Sequence, residues 1–265
     1  MIEIDNHSVN LLDEDWKLLI ILDACRYDIF KDEYHILHKS KTLRKTKTHC
    51  IGTYEWYNNN IVNQDCSDII YIDPIVMFNH IVPDNTFHEV VEVWKEHWNY
   101  EYGTILPESM TDVTLQKLKQ HPSKRFIVHY HQPHPPYLQP KFKGIDGPVD
   151  KPEEILRQAG KKRKFIFNQF FQGRLRKTIG CKHAWDFIIN LGIEPNDYYG
   201  KIYKLNGMKG LEYGYRETLK QAFHSVNTLI DTVPEKIIIT SDHSKNLDGS
   251  NKNLREQYVP WLEVE

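Results

Sequence analysis

The sequence predicts an α/β protein, a three-layer sandwich in which helices cover both faces of a mostly parallel central sheet. Two observations support this fold class. Short, nearly continuous apolar runs are typical of strands that are buried on both faces, and segments with the apolar spacing of helices lie between these runs. Strands that alternate with helices favour a parallel sheet between two helical layers. The 265 residues fit one large domain, spanning 1–265.

Five apolar runs are the predicted strands. They are 17–22, 68–72, 125–129, 236–240 and 259–264. The last run contains Pro260, which has no amide hydrogen for a sheet ladder. Because proline within a sheet is confined mainly to edges, we expect this run to be an edge strand.

Three segments have the periodicity of helices, namely 53–61, 107–121 and 211–230. The third is the longest and is expected to end before Pro234. The stretch at about 144–207 is different, because it is polar and contains the basic and aromatic run 161–177, which has no acid. It predicts a helical insertion or cap within the domain. Its basic run is either a solvated helical face or a patch that grips an anionic substrate or surface.

Composition narrows the possible partners and location. A formal net charge of -2 gives no general attraction to nucleic acid, and no apolar run approaches the roughly 20 residues of a membrane span. The first ten residues lack the basic start and apolar stretch of a signal peptide. The four cysteines show no CxxC pairing and are expected to be reduced thiols. We therefore expect a cytoplasmic protein without a transmembrane segment.

Two predicted strands end in groups that bind metals. The segment LLIILDACRYD, 18–28, runs from five apolar residues into Asp23, and the apolar run of IIITSDHS, 237–244, leads to Asp242 and His243. In parallel sheets, ligands bind at the carboxyl ends of the strands, and carboxylate oxygen with imidazole nitrogen suits zinc or manganese. The alternatives are a helix cap or turn at Asp23 and an ordinary polar turn at Asp242.

Two further motifs are expected near the same edge. HYHQPHPPY, 129–137, is a histidine and proline loop in which His131 or His134 is a candidate to ligate a second metal, bind a substrate oxyanion or protonate a leaving group. The alternative is that 129–137 is an ordinary surface loop. In THCIGTYEW, 48–56, Thr53 follows a glycine at the start of a helical pattern. A hydroxyl there suits a phosphate or an alkoxide, since a helix N-terminus attracts negative charge. The alternative is a plain N-cap.

Taken together, the four motifs resemble those of the alkaline phosphatase and sulfatase superfamily, both in their residues and in their order along the chain. LLIILDACRYD is similar to the first strand of that family, whose terminal acid binds metal. GTYEW lies where the family places its nucleophile, HYHQPHPPY is similar to its His-Pro loop, and TSDHS is similar to its late metal-binding strand. The motifs span most of the chain.

The resemblance implies roles for individual residues. Asp23, Thr53, Asp242 and His243 would bind a divalent cation (zinc, manganese, magnesium or calcium), and Thr53 would be the nucleophile. His134 would assist catalysis, and His131 and Arg26 would contact the substrate. A single ion is the simpler expectation and a second ion is uncertain, because no histidine follows His243.

The implied function is hydrolysis or transfer of a phosphate-type ester. The implied substrate is anionic, and esters of a carbohydrate or a lipid head group are candidates. One alternative is a sulfatase acting on a sulfated glycan, although Cys50 lacks the following proline and arginine of sulfatases that use a modified cysteine. Another is a catalytically degenerate member that binds anions. A nucleotide-binding or glycosyltransferase-like protein is disfavoured, because the chain has no GxxxxGK or GxGxxG motif. The oligomeric state is open.

Overall fold

The structure is a computed structural model that describes residues 4–5, 11–75, 82–145, 152, 167–248, 250 and 258–265. The strands in these ranges are β1 (Ile4–Asp5), β2 (Leu18–Leu22), β3 (Lys41–Lys47), β4 (Cys66–Asp73), β5 (Phe87–Glu92), β6 (Trp98–Asn99), β7 (Thr104–Ile105), β8 (Arg125–Tyr130), β9 (Ile237–Thr240) and β10 (Tyr258–Val264). The helices are α1 (Tyr27–Glu33), α2 (Thr53–Asn60), α3 (Trp94–His97), α4 (Pro107–Gln120), α5 (Phe167–Ile179), α6 (Cys181–Asn190) and α7 (Tyr198–Thr232).

Eight strands form one sheet in the order β1-β3-β10-β9-β2-β8-β4-β5. The five strands β9, β2, β8, β4 and β5 run parallel to one another, whereas β10 is antiparallel to both of its neighbours. β6 and β7 form a separate antiparallel pair. The mostly parallel sheet confirms the predicted fold class.

The central strands alternate their side chains between two hydrophobic cores, one on each face of the sheet. Leu18, Ile20 and Leu22 of β2 pack in the core that α4 and α7 cover. Leu19 and Ile21 belong to the opposite core, with the aromatic residues of α2. All five side chains are fully buried, and each such burial contributes about 1.5–3 kcal/mol. The carboxyl end of β2 is thus held firmly in the middle of the molecule.

Strand β10 corrects the prediction of an edge strand. It pairs with β3 along its whole length and with β9 from Trp261 onward, where Trp261 lies opposite Thr240. Pro260 therefore lies just beyond the end of β9, where no ladder bond to that strand requires its nitrogen. Its carbonyl oxygen accepts a hydrogen bond from Thr240 Oγ1 at 2.7 Å. The neighbouring strand β3, with the sequence KTLRKTK, was not predicted because it has little apolar character.

The predicted helices 53–61 and 107–121 correspond to α2 and α4. The predicted helix 211–230 is the C-terminal part of the longer α7, which has a non-helical residue at Gly207. Part of the predicted insertion, 144–207, is helical, since it holds α5, α6 and the start of α7. Two segments of it, 146–151 and 153–166, lie outside the described residues.

Candidate active site

Three adjacent strands deliver polar residues to one edge of the sheet. β2 lies between β9 and β8, and all three are parallel. Asp23 follows β2 directly, Ser241 and Asp242 follow β9, and His131 follows β8. Because the carboxyl ends of parallel strands point to the same edge, residues more than two hundred positions apart in sequence become neighbours.

Hydrogen bonds connect the ends of β2 and β9. Ser241 Oγ lies 2.6 Å from the carbonyl oxygen of Leu22 and accepts from the amide of Cys25 at 2.8 Å. Asp242 Oδ1 accepts from the amide of Ala24 at 3.1 Å. Ala24 has a φ of 59°, a left-handed conformation that is uncommon for residues other than glycine. The serine and the aspartate therefore hold the turn that positions Asp23.

Asp23, Asp242 and His243 form a buried cluster whose donor atoms lie within 4.8 Å of one another. His243 Nε2 is 3.3 Å from Asp23 Oδ1 and 3.6 Å from Asp242 Oδ2. His243 Nδ1 lies 2.9 Å from the carbonyl oxygen of Ser244 and donates to it, since that oxygen only accepts. This bond fixes the ring so that Nε2 faces both carboxylates.

Thr53 joins this cluster from the other side. It is the first residue of α2, and the extended residue before it, Gly52, is the N-cap. Thr53 Oγ1 donates to Asp242 Oδ2 at 2.6 Å. The helix is held in place by Trp56 and Tyr57, which are buried in the core. The hydroxyl therefore lies at a helix N-terminus, as predicted, but the N-cap is Gly52 and not Thr53.

A second cluster shares Asp23 and adds the two loop histidines. Donor atoms of Asp23, His131 and His134 lie within 4.8 Å of one another. His131 Nε2 is 3.9 Å from Asp23 Oδ2, and its Nδ1 is 3.1 Å from Thr104 Oγ1. The loop is anchored by Gln132, whose side-chain amide donates to the carbonyl oxygen of Ile105 at 2.8 Å.

The electrostatics of the cluster favour a charged Asp23 and neutral loop histidines. Burial raises the pKa of Asp23, but the nearby imidazoles of His134 and His243 outweigh it and hold that pKa below its usual range. Burial lowers the pKa of His134 to about 3 and also lowers that of His131. Burial lowers the pKa of His243 as well, but Asp242 and Asp23 prevail and raise it to about 9.

One functional candidate, Lys245, escaped the sequence reasoning, and a second, His129, has a partner that the sequence could not show. Lys245 Nζ lies 3.1 Å from His134 Nε2. The sequence offered only one signal for it, its position two residues after His243. His129 is fully buried, with Nδ1 2.8 Å from the hydroxyl of Tyr71 and Nε2 3.9 Å from Asp242 Oδ2. Its place in the histidine motif was visible, but its tyrosine partner lies on another strand.

Two other predicted residues have local partners. The guanidinium of Arg26 donates to both carboxylate oxygens of Asp28, at 2.9 and 2.6 Å. Its contact with a substrate stays a prediction. Cys50 is buried, and burial raises the pKa of its thiol. Like the other three cysteines, it forms no disulfide.

None of the helices in the described ranges combines the length and apolar character that crossing a membrane requires. The cytoplasmic location remains a prediction.

Comparison with family models and with curated proteins gave no match, but solved structures are similar. A protein in the alkaline phosphatase superfamily from Vibrio parahaemolyticus is 11% identical, with a TM-score of 0.47 over 94% of this chain and 60% of that chain. The soluble domain of lipooligosaccharide phosphoethanolamine transferase A from Neisseria meningitidis is 9% identical, with a TM-score of 0.47 over 93% and 75%.

The C-terminal periplasmic domain of EcEptC from Escherichia coli, in complex with zinc, is 9% identical, with a TM-score of 0.42 over 97% of this chain and 74% of that chain. This chain spans less than two thirds of the length of the Vibrio protein. The superfamily named for that protein is the one that the four sequence motifs resemble.

Proposed function

We propose that this protein is a metal-dependent hydrolase or transferase that acts on a phosphate-type ester through Thr53. The spacing of the donor atoms carries the proposal. His243 Nε2 lies 3.3 Å and 3.6 Å from oxygens of Asp23 and Asp242. Tetrahedral ligands bound about 2.1 Å from a zinc ion are roughly 3.4 Å apart. His243 is therefore spaced from each carboxylate as two ligands of one cation are, and all three donors lie within 4.8 Å of one another.

The chemistry of these donors fits a divalent cation. Asp23 Oδ1 is buried and accepts no hydrogen bond from the part of the chain that the structure describes. This buried oxygen faces another candidate ligand, His243 Nε2 at 3.3 Å, and a cation between the two would stabilise its charge. The imidazole of His243 suits zinc better than magnesium or calcium. When bound, the cation supplies positive charge that lowers the pKa of an adjacent hydroxyl.

The residues around it are arranged for attack by a hydroxyl. Asp242 Oδ2 accepts a hydrogen bond from the Thr53 hydroxyl, so the lone pairs of Oγ1 point away from that carboxylate. In the proposed reaction, Oγ1 gives up its proton and bonds to phosphorus, the bond from phosphorus to the leaving oxygen breaks, and the leaving oxygen takes up a proton. Water or an acceptor alcohol then bonds to phosphorus, the bond from phosphorus to Oγ1 breaks, and the proton of the attacking hydroxyl returns to Oγ1. His131 and His134 border the cluster on the β8 side and are the proposed substrate contacts.

Arg26 remains a proposed substrate contact, and its guanidinium pairs with Asp28 at 2.6 Å.

The test is the pair of variants Thr53→Ala and Thr53→Ser, assayed on chromogenic phosphate esters with added manganese or zinc. We expect Thr53→Ala to lower kcat by at least about 10³-fold, because it removes the nucleophile. Thr53→Ser keeps the hydroxyl and should retain activity within about tenfold. Bound metal, measured by elemental analysis, should be nearly unchanged in both. Normal turnover by Thr53→Ala would show that Thr53 is not the nucleophile. If the protein binds metal but turns over no ester, the result would favour the alternative of a catalytically degenerate protein that binds anions.

A further inference from the structure

A cavity of about 620 Å³ lies between the end of α5 and the start of α6. Its volume falls within the range of about 300–1,000 Å³ that is typical of sites for small ligands. Asp248 and Ser250, from the segment that follows β9, also line it. Among the described residues that line the cavity, none belongs to the cluster of Asp23, Asp242 and His243. The cavity is therefore separate from that cluster.

Basic side chains predominate among the charged residues of the cavity. They are Arg176, Lys177, Lys182 and His183. Asp248 supplies the only carboxylate among the described lining residues. Lys177 ends the basic run 161–177, which has no acid and to which the proposed reaction gives no role. The end of this run therefore lines a concave surface, which a purely solvated helical face would not require.

Several of these basic groups are available to a ligand. In the part of the chain that the structure describes, the side chains of Lys177 and His183 form no hydrogen bond or ion pair. Lys182 pairs with Asp186, one turn further along α6, and both side chains are exposed. Exposed pairs of this kind contribute little to stability. An anion in the cavity would therefore gain these contacts without disrupting a buried interaction.

The wall of the cavity that α5 provides is fixed to the segment before α7. The buried Gln172 donates from Nε2 to the carbonyl oxygen of Glu194 at 2.9 Å, and its Oε1 accepts from the amide of Asn196 at 3.0 Å. Arg176 donates to Asp197 Oδ2 at 2.6 Å. Because these bonds hold the wall in place, a ligand does not have to order it on binding.

The same segments border both the cavity and the candidate active site. Asp197, which Arg176 contacts, is the N-cap of α7. Two residues further on, the ring centroid of Tyr199 lies 5.6 Å from Lys245 Nζ, which contacts the His-Pro loop. Asp248, on the cavity wall, follows Lys245 by three residues. The cavity is thus a neighbour of the site at which the ester would react.

We propose that this cavity is an anion-binding subsite that holds a phosphate or carboxylate group against Lys177, Lys182 and His183. The anionic group is either the distal part of the ester substrate or a separate small anion. Because the concave wall excludes part of the water, attraction between such a group and the basic side chains is stronger there than on an open surface. The inference goes beyond the proposed function, since this binding needs neither the metal cluster nor Thr53.

The first test measures binding of pyrophosphate to the whole chain by calorimetry, after metal has been removed with EDTA and the EDTA by dialysis. Lys177→Met should raise the Kd of the parent protein about tenfold, because it removes a charged contact. Lys177→Arg keeps the charge and should stay within about threefold of the parent value. The control Lys119→Met changes an exposed lysine of α4 and should bind as the parent protein does. If pyrophosphate binds the parent protein no better than Lys177→Met, or does not bind at all, the inference is wrong and the basic run is a solvated face.

The second test uses turnover to distinguish the two sources of the anion. Thymidine 5′-(4-nitrophenyl phosphate) and its 3′-phosphorylated derivative have the same leaving group and differ by one distal phosphate. If the substrate carries the anion, kcat/KM should be at least about tenfold higher for the 3′-phosphorylated ester, and Lys177→Met should abolish this advantage. Equal turnover of the two esters, with pyrophosphate still bound, would assign the cavity to a separate anion. An advantage that persists in Lys177→Met would contradict the inference. If neither ester is turned over, the proposed function fails, and the binding of pyrophosphate still decides the role of the cavity.

Discussion

Asp242 is expected to have separable roles in folding and in metal binding, and two substitutions distinguish them. Its Oδ1 accepts from the amides of Ala24 and His243 at 3.1 and 2.8 Å, and its Oδ2 accepts from Thr53 at 2.6 Å. The side chain is almost fully buried. Asp242→Ala removes both acceptor oxygens and so all three hydrogen bonds, whereas Asp242→Asn keeps a carbonyl oxygen for the two amides and removes the charge.

The magnitude follows from the groups left without a partner. Each buried amide that loses its acceptor costs about 1–3 kcal/mol. With the lost contact to Thr53, Asp242→Ala should lower the free energy of unfolding by about 3–6 kcal/mol. Asp242→Asn should change it by no more than about 1–2 kcal/mol, because weaker bonds to a neutral acceptor are offset by the removal of a buried charge.

Urea denaturation followed by circular dichroism measures both roles. In EDTA, the two variants should differ as stated. With zinc at about 100 times its dissociation constant, the parent protein should gain roughly 2.7 kcal/mol, and Asp242→Asn should gain little. The exposed Asp112 provides the control Asp112→Asn, which should gain as the parent protein does. Equal destabilisation of both Asp242 variants in EDTA, or a full zinc-dependent gain in Asp242→Asn, would refute this reasoning.

Three further predictions concern other parts of the fold. Burial raises the pKa of Asp73 well above its usual value, so the stability that its neutral form contributes is lost as pH rises above about 3.9. Asp73→Asn should therefore raise the unfolding free energy at pH 7.5 and lose this gain near pH 4; equal gains at both values would contradict this. A Cβ on Gly214 would lie 2.2 Å from the ring of Tyr137, so Gly214→Ala should destabilise by about 1–3 kcal/mol in thermal melts. Gly173→Ala, which meets only one atom, at 4.0 Å, is the tolerated control, and equal melting temperatures would show that the ring yields freely. Cys50→Ala should keep turnover within about threefold, since a buried thiol that takes no part in the chemistry mainly affects stability. A loss of turnover as large as that of Thr53→Ala would indicate that the Cys50 thiol, and not Thr53, is the nucleophile.

The local pattern of the chain was enough to predict the central strands and the residues that follow them. A buried strand of a parallel sheet is an apolar run, and the residue after it lies at the ligand-binding edge. Asp23 and Asp242 could therefore be assigned to one edge before their distance was known. Thr53 was found in the same way, because a glycine directly before a helical pattern is an acceptable N-cap and places the next residue at the helix start.

The partners of these residues depended on how distant segments pack. The interior position of β10 follows from the order of the strands, which local preference does not encode, and its proline was misleading because it lies beyond the end of β9. The contact between Lys245 and His134 joins two loops 111 positions apart. The sequence shows which side chains can donate or accept, but the three-dimensional paths of both loops determine which donor reaches which lone pair.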